Sequence, residues 1–492
     1  MINPKSIIRL FTIMIERIIE PLATHTTANK KWYNRKKKLF HSENSNQYPL
    51  KRALLRGRRK ARLMYAMIRN IFETITTIPH CSGCTRELEL WLIETLQKSG
   101  CDVQHDEAGN IYAKKGRPTV CLQAHYDMVC LGEARPTTLI EQDGWLQAQN
   151  STLGADNGVG VAIMMALAQE ASSLELLLTN DEEIGLIGAQ ALAFDIVSPY
   201  ILNLDSEEEG ALYVGCAGGF DAFLTRRYEV QELEDGYVYN VRISNLPGGH
   251  SVVDIDKDIP NAIICLADFI EKSGGRLLVL EGGERSNSIP KNCIATLWCP
   301  SRLDHELWKG CGVTLEEERH LSSVLGYRDD QTILSFLLTY PHGVMRFDPH
   351  LGIPSESLNL AMVSFHNGSL SVTISGRSMS FEGLEKLKAL THDQGIRYGL
   401  SVTLEGKYDP WPIEKNPFIT RVQAVMEHFH NDVKRKAIHA GLECAVLKKK
   451  YPTVAMASIG PTIERPHSFE ERVYWPSVER CYDIVKALLK TL

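Results

Sequence analysis

Between residues 174 and 185 the chain reads LELLLTNDEEIG, an apolar run of strand length that ends in Asp181, Glu182 and Glu183 with no Lys or Arg beside them. Adjacent acids repel one another. A solvated turn accommodates them, and so does a helix N-terminus, whose dipole favours acids. Further polar residues stand in comparable places. His125 and Asp127 lie two apart at the end of VCLQAHYD, so strand alternation sends both to the same face. Asp156 follows Gly154 at the entrance of a helix-length stretch, and Asp205 follows the apolar run YILNL.

The elements that must position these residues are legible from residue 64 onward. MIRNIFETITTI and TRELELWLIETLQKSG carry apolar residues at helical spacing, whereas TVCLQAHYDMVC, LELLLTND and YILNLDSEEEG are short apolar runs. ADNGVGVAIMMALAQEASS, rich in Ala and Met, lies between the first two runs as a helix packed beneath the site. Strand, helix, strand is the order of an α/β sheet with a parallel core. The carboxyl ends of such strands form a ligand crevice, and each acid named above sits where a strand ends.

Asp127, Asp156, Glu182, Glu183 and Asp205 gathered around His125 require either protonation or a cation, because close carboxylates do not all ionise uncompensated. A cation explains more of the pattern. Carboxylate and imidazole suit zinc, manganese or cobalt, and the ligands are too many for one tetrahedral ion. Two ions about 3.5–4 Å apart, bridged by a carboxylate, use the whole set. His467 in SIGPTIERPHSFEE, again just beyond a strand-like run, completes it.

The 492 residues predict two or three domains, and a 44% hydrophobic content is ample for their cores. Residues 1–60 carry fifteen Lys/Arg against three Asp/Glu, while the whole chain has a net charge of −6. The segment 1–63 therefore reads as a basic extension, a disordered tail or a start placed too far upstream, with Met64 or Met67 the true beginning. Runs such as NRKKKLF suit nucleic acid or anionic membrane, but the acidic body argues against either as the main partner. SIIRLFTIMIERIIEPLA is broken by Arg9, Glu16, Arg17 and Glu20, so it reads as neither a membrane span nor a secretory signal. Twelve cysteines without a repeating framework suit a reducing compartment and point to the cytoplasm. HCSGC at 80–84 has Cys-x-x-Cys spacing without a second pair and reads as structural or incidental. GVGVA lacks the full dinucleotide fingerprint, and the chain has no phosphate loop ending in Lys-Ser or Lys-Thr.

A second alternation of strands and helices, from YVYNVRISN to YGLSVTLEG, reads as a second α/β domain inserted into the first. The expected division is a catalytic domain over 64–228 and 413–492, with TVAMASIG returning to the first sheet, and an inserted lid over 229–412.

The chain from about residue 67 onward resembles the aminoacyl-histidine dipeptidase branch of the two-zinc exopeptidases, a family that also contains tripeptidases, carboxypeptidases and deacylases. The likeness rests on AHYDMV, STLGADNGVGVA, TNDEEIGLIGA, NLDSEEEGALYVGCAGG, LPGGHS, IHAGLEC and SIGPTIERPHS, in that order. It implies a zinc-exopeptidase-like α/β catalytic domain with a mixed, largely parallel sheet and an inserted α/β lid. It implies hydrolysis of small peptides such as Xaa-His by a homodimer with two Zn2+ per chain, Mn2+ or Co2+ being substitutes. His125 and Asp205 would hold one ion, Glu183 and His467 the other, and Asp156 both. Asp127 would orient His125 and Glu182 would be the general base. His250 would support the oxyanion, and Asn287, Arg377, His439 and Glu443 are candidate substrate contacts. Tyr126, Val252 and Phe469 depart from the family's usual Thr, Gly and Pro, which bears on substrate preference.

Overall fold

The computed structural model describes residues 47–132, 138–304 and 312–492. The chain divides into two compact units, Met1–Ala66 and Met67–Leu492. The first described helix, Gln47–Thr77, starts well before the position at which the spacing predicts one. Its upstream half is rich in Leu, Ala, Lys and Arg, all good helix formers. Residues 47–63 of the expected tail are therefore helical, and residues 1–46 lie outside the described residues.

The second unit contains two large sheets. The eight-stranded sheet runs in the order 102–105, 111–115, 174–179, 120–125, 200–203, 455–458, 211–216 and 434–438. Its centre is parallel: Val120–His125 pairs with both Leu174–Thr179 and Tyr200–Asn203, and the latter with Ala455–Ser458. Every residue of Val120–His125 and Leu174–Thr179 is buried, as expected of strands covered on both faces. The helix Ala155–Glu170 is buried nearly all round and packs against Val120–His125, which explains why it shows no apolar stripe. Ala455–Ser458, remote in sequence, sits inside this sheet rather than at its edge.

The nine-stranded sheet is built from residues 218–408 and is antiparallel throughout. Helices Ala262–Ser273, Gln331–Thr339 and Phe381–Arg397 bury their apolar faces against it. Asn261 and Ser380 start two of them by accepting backbone N–H bonds from Ile263 and Gly383. A small four-stranded sheet joins the hairpin 139–148 to Arg472–Tyr474 and Ile463–Glu464.

The structure holds a disulfide that the scattered cysteines did not announce. Cys81 is disulfide-bonded to Cys130, 49 residues on, with a Cα–Cα distance of 5.5 Å. A backbone bridge between Cys81 and Met128 brings the two segments together. The partner of Cys81 is therefore set by this pairing and not by the Cys-x-x-Cys spacing to Cys84, which remains a free thiol.

Candidate active site

His125 is the last residue of its strand and is 1% exposed. Its Nδ1 faces Asp127, 3.1 Å from the backbone oxygen and 3.4 Å from Oδ1. Its Nε2 lies 3.3 Å from Asp156 Oδ1 and 3.2 Å from Asp205 Oδ1. Asp156 turns its other oxygen to His467, with Oδ2 3.2 Å from Nε2, and the same nitrogen lies 2.9 Å from Glu183 Oε1. Asp156 thus touches both histidines. Ligand atoms of His125, Asp156 and Asp205 lie within 4.8 Å of one another, as do those of Asp156, Glu183 and His467, and those of His125, Glu182 and Glu183.

Asp127 is buried beside this group and accepts three hydrogen bonds. Ser82 Oγ donates to Oδ2 at 2.7 Å, Glu182 N–H to Oδ1 at 3.0 Å and Glu183 N–H to Oδ2 at 3.2 Å. One carboxylate therefore lies against His125 and fixes the backbone that carries both glutamates. Asp181 has a different task. It sits at φ +52°, and its Oδ1 accepts the Gly83 N–H at 2.6 Å, which pins the turn to the segment ahead of the site. Asp205 accepts from Asn157 Nδ2, and its own N–H donates to Asn203 Oδ1 at 3.1 Å. Ser82 and Asn157 are contacts that sequence reasoning missed, because a lone Ser or Asn carries no pattern.

The protein's own groups in the cluster carry too much negative charge for one another. Burial and the neighbouring Glu183 push Glu182 well above the usual carboxylate range. Burial also raises Glu183 and Asp205. Partial desolvation lowers His467, and the Asp156 and Glu183 carboxylates more than reverse that, raising it to about 11. A set of imidazole and carboxylate donors, buried at His125, part-buried at the acids and open to solvent at His467, that is short of positive charge fits divalent cations.

The remaining candidates lie on a separate two-stranded ribbon, on the second sheet and on the chain's return to the first. His250 pairs with Ser288 in a two-stranded ribbon, and the Asn287 carbonyl accepts the Ser251 N–H at 2.8 Å. Arg377 donates to Tyr408 Oη at 2.7 Å, while its buried Nε has no partner among the described residues. His439 Nε2 lies 2.7 Å from Ser357 Oγ. Partial desolvation, then the charges of Arg377 and His467, lower His250 to about 4; burial and Arg377 lower His439 to about 3. Arg377 thus acts electrostatically on both histidines. Glu443 stands apart from this group. It is fully buried beneath the strand ends, accepting from Gln123 Nε2 and, at 2.7 Å, from Thr179 Oγ1.

Residues 121–491 match the model of peptidase family M20/M25/M40. The chain is 30% identical over 469 residues to the cytosol non-specific dipeptidase of Escherichia coli, covering 86% of this chain and 97% of that protein. The aminoacylhistidine dipeptidase of Vibrio alginolyticus superposes with a TM-score of 0.73 at 28% identity, over 87% of this chain and 96% of that one. A tripeptidase from Staphylococcus aureus shares the fold, with a TM-score of 0.52 at 15% identity over 87% and 99% of the two chains. The chain therefore belongs to peptidase family M20/M25/M40 and is a metal-dependent hydrolase of peptide bonds.

Proposed function

We propose that this peptidase is a dipeptidase whose substrates include unblocked Xaa-His, with two Zn2+ per chain in the acid cluster and Glu182 as general base. The observation that carries the reading is the place of Asp156, one oxygen toward His125 and the other toward His467. The likeness to dipeptidases over most of the chain supports the substrate class. In this reading His125 and Asp205 hold one ion, Glu183 and His467 the other, and Asp156 both, with Mn2+ or Co2+ as substitutes.

When bound, such ions supply positive charge that acidifies a water and polarises the scissile carbonyl. The protein's part is to aim and move protons. Asp127 receives the Nδ1 proton of His125 and leaves Nε2 free to face Asp156 and Asp205. Glu182, whose carboxylate shares a cluster with His125 and Glu183, takes the proton of the attacking water and passes it to the leaving amine nitrogen. His250 Nδ1 accepts the Val252 N–H at 3.3 Å, so its own proton resides on Nε2. A neutral imidazole donor is then available for the oxyanion. Arg377 offers its fork to the substrate carboxylate, and Asn287 and His439 are further substrate contacts in this reading.

Residues 229–412 act as a lid in the same reading, and the assembly is a homodimer whose external partner is a small peptide, not nucleic acid or membrane. Among the described residues no helix is long and apolar enough to cross a membrane. A cytoplasmic location agrees with nine free thiols among the described residues; the Cys81–Cys130 bond bears against it, and counting thiols in protein isolated under alkylation decides.

The test is release of free histidine from an Xaa-His dipeptide by the zinc-loaded protein, beside Glu182→Gln prepared identically. Turnover by the wild type alone is expected. If neither protein turns over although both hold two zinc ions, the Xaa-His assignment fails and tripeptides and acylated amino acids become the substrates to try.

A further inference from the structure

Glu471 belongs to none of the roles above, yet it is 3% exposed and its carboxylate is saturated by backbone donors. Oε2 accepts the N–H groups of Leu153 at 2.8 Å and Gly154 at 3.0 Å; Oε1 accepts those of Ala155 at 2.8 Å and Asp156 at 3.3 Å. Leu153 and Gly154 precede the helix Ala155–Glu170 and Ala155 and Asp156 begin it, so these amides have no partner within it. Four consecutive amides converge on one point because Gly154 turns the chain at φ +70°. A Cβ there would meet Met128 Sδ at 2.9 Å and His80 Nε2 at 3.3 Å.

The carboxylate arrives from a distant part of the chain. Glu471 stands four residues after His467 and immediately before strand Arg472–Tyr474, which pairs with Trp145–Ala148. Its own N–H donates to Ser468 O at 3.2 Å, and Ser468 Oγ donates to Arg465 O at 2.7 Å. Whatever anchors Glu471 therefore also anchors the turn that presents His467, which stands at φ +58°. One side chain ties together the two loops that supply Asp156 and His467.

We propose that Glu471 is a positioning residue that builds the Asp156 turn before any metal binds, so that Asp156 already faces both His125 and His467. The inference rests on the two-metal reading of the cluster. An ordinary helix cap would stabilise the fold and leave the metal affinity of the folded protein unchanged. A positioning residue acts on the ligand itself, and loss of such supporting contacts lowers metal affinity about 10–100-fold.

The experiment compares the full-length wild type with Glu471→Gln, which keeps the volume but turns an NH2 group against two of the four N–H donors. Zn2+ affinity is measured by competition with a chromophoric chelator, and circular dichroism reports folding. A folded Glu471→Gln protein with affinity reduced about 10–100-fold is expected; a folded variant with wild-type affinity overturns the proposal. Should the variant not fold, amide hydrogen exchange in the wild type decides. Protection of the 153–156 amides in metal-free protein equal to that in zinc-loaded protein supports a prebuilt turn, and protection that appears only with zinc overturns it. Neither readout uses peptide hydrolysis. A wild type that binds zinc but cleaves no dipeptide would sink the substrate reading and leave this one standing.

Discussion

The strand ends of the eight-stranded sheet and the polar group around Arg377 are incomplete in opposite senses. In the first region the two histidines find their partners among fellow members: His125 meets Asp156 and Asp205, and His467 meets Asp156 and Glu183. In the second, each is held from outside the group, Arg377 by Tyr408, His439 by Ser357 and His250 by Val252. The charges follow suit. Glu182, Glu183, Asp205 and His467 are raised in the first region, where Asp156, facing both histidines, is lowered, whereas Arg377 contributes to lowering His250 and His439 in the second. An excess of negative charge calls for cations, and an unused guanidinium nitrogen calls for an anionic ligand. In the proposed reading, the carboxylate of an unblocked dipeptide is the anion that would meet Arg377.

Removing the proton carrier while leaving every ligand in place should break the comparison most sharply. Glu182→Gln is expected to lower kcat about 10^2–10^4-fold while zinc content, measured by atomic emission, stays at the wild-type value; a variant that lost its zinc would make Glu182 a ligand instead. Next in size is His250→Ala, for which loss of one oxyanion donor costs about 10^2–10^3 in kcat. An effect confined to KM would move His250 into substrate binding.

Glu443 sharpens the contrast from beneath. Burial raises its carboxyl to about 7 from a usual 4.5, so between these values the folded protein keeps a proton that the unfolded chain has released. Stability contributed by the neutral form is present at pH 4.5 and lost as pH rises to 7, by roughly 3 kcal/mol for this group. Urea unfolding of metal-free Glu443→Gln should lack that share of the decline; an unchanged slope would refute the assignment. Smallest is Arg377→Lys, which keeps the charge but loses the fork. A rise in KM of about 10-fold with kcat preserved is expected, from a lost charged hydrogen bond of about 1.5 kcal/mol. No change with a free carboxylate at the substrate's end would remove Arg377 from recognition.

Much of the site is legible in the chain alone. Apolar runs of strand length each ending in an acid or His announce a polar crevice, because burial on both faces of a parallel sheet demands such runs and leaves only their ends for chemistry. The helix Gln47–Thr77 is less legible: the charge-dense stretch upstream of Met64 masks its helix-forming composition. The inserted region shows its strands and helices by period, but nothing in a period announces that its sheet is antiparallel throughout.

Which residue types stand at the strand ends is written in the linear order of the chain, and the ordered motifs separate Glu182 from Glu183 by resemblance. The task of Asp181 comes from the folded molecule alone, since its partner is the Gly83 backbone 98 residues away. The same holds for Ser82 on Asp127, for Cys130 as the partner of Cys81, and for Glu471 on the Asp156 turn. The physical reason is common to all four. Periodicity and propensity record what a residue meets within a few positions along the chain, whereas these contacts join segments tens to hundreds of residues apart and exist only once the sheets bring those segments together.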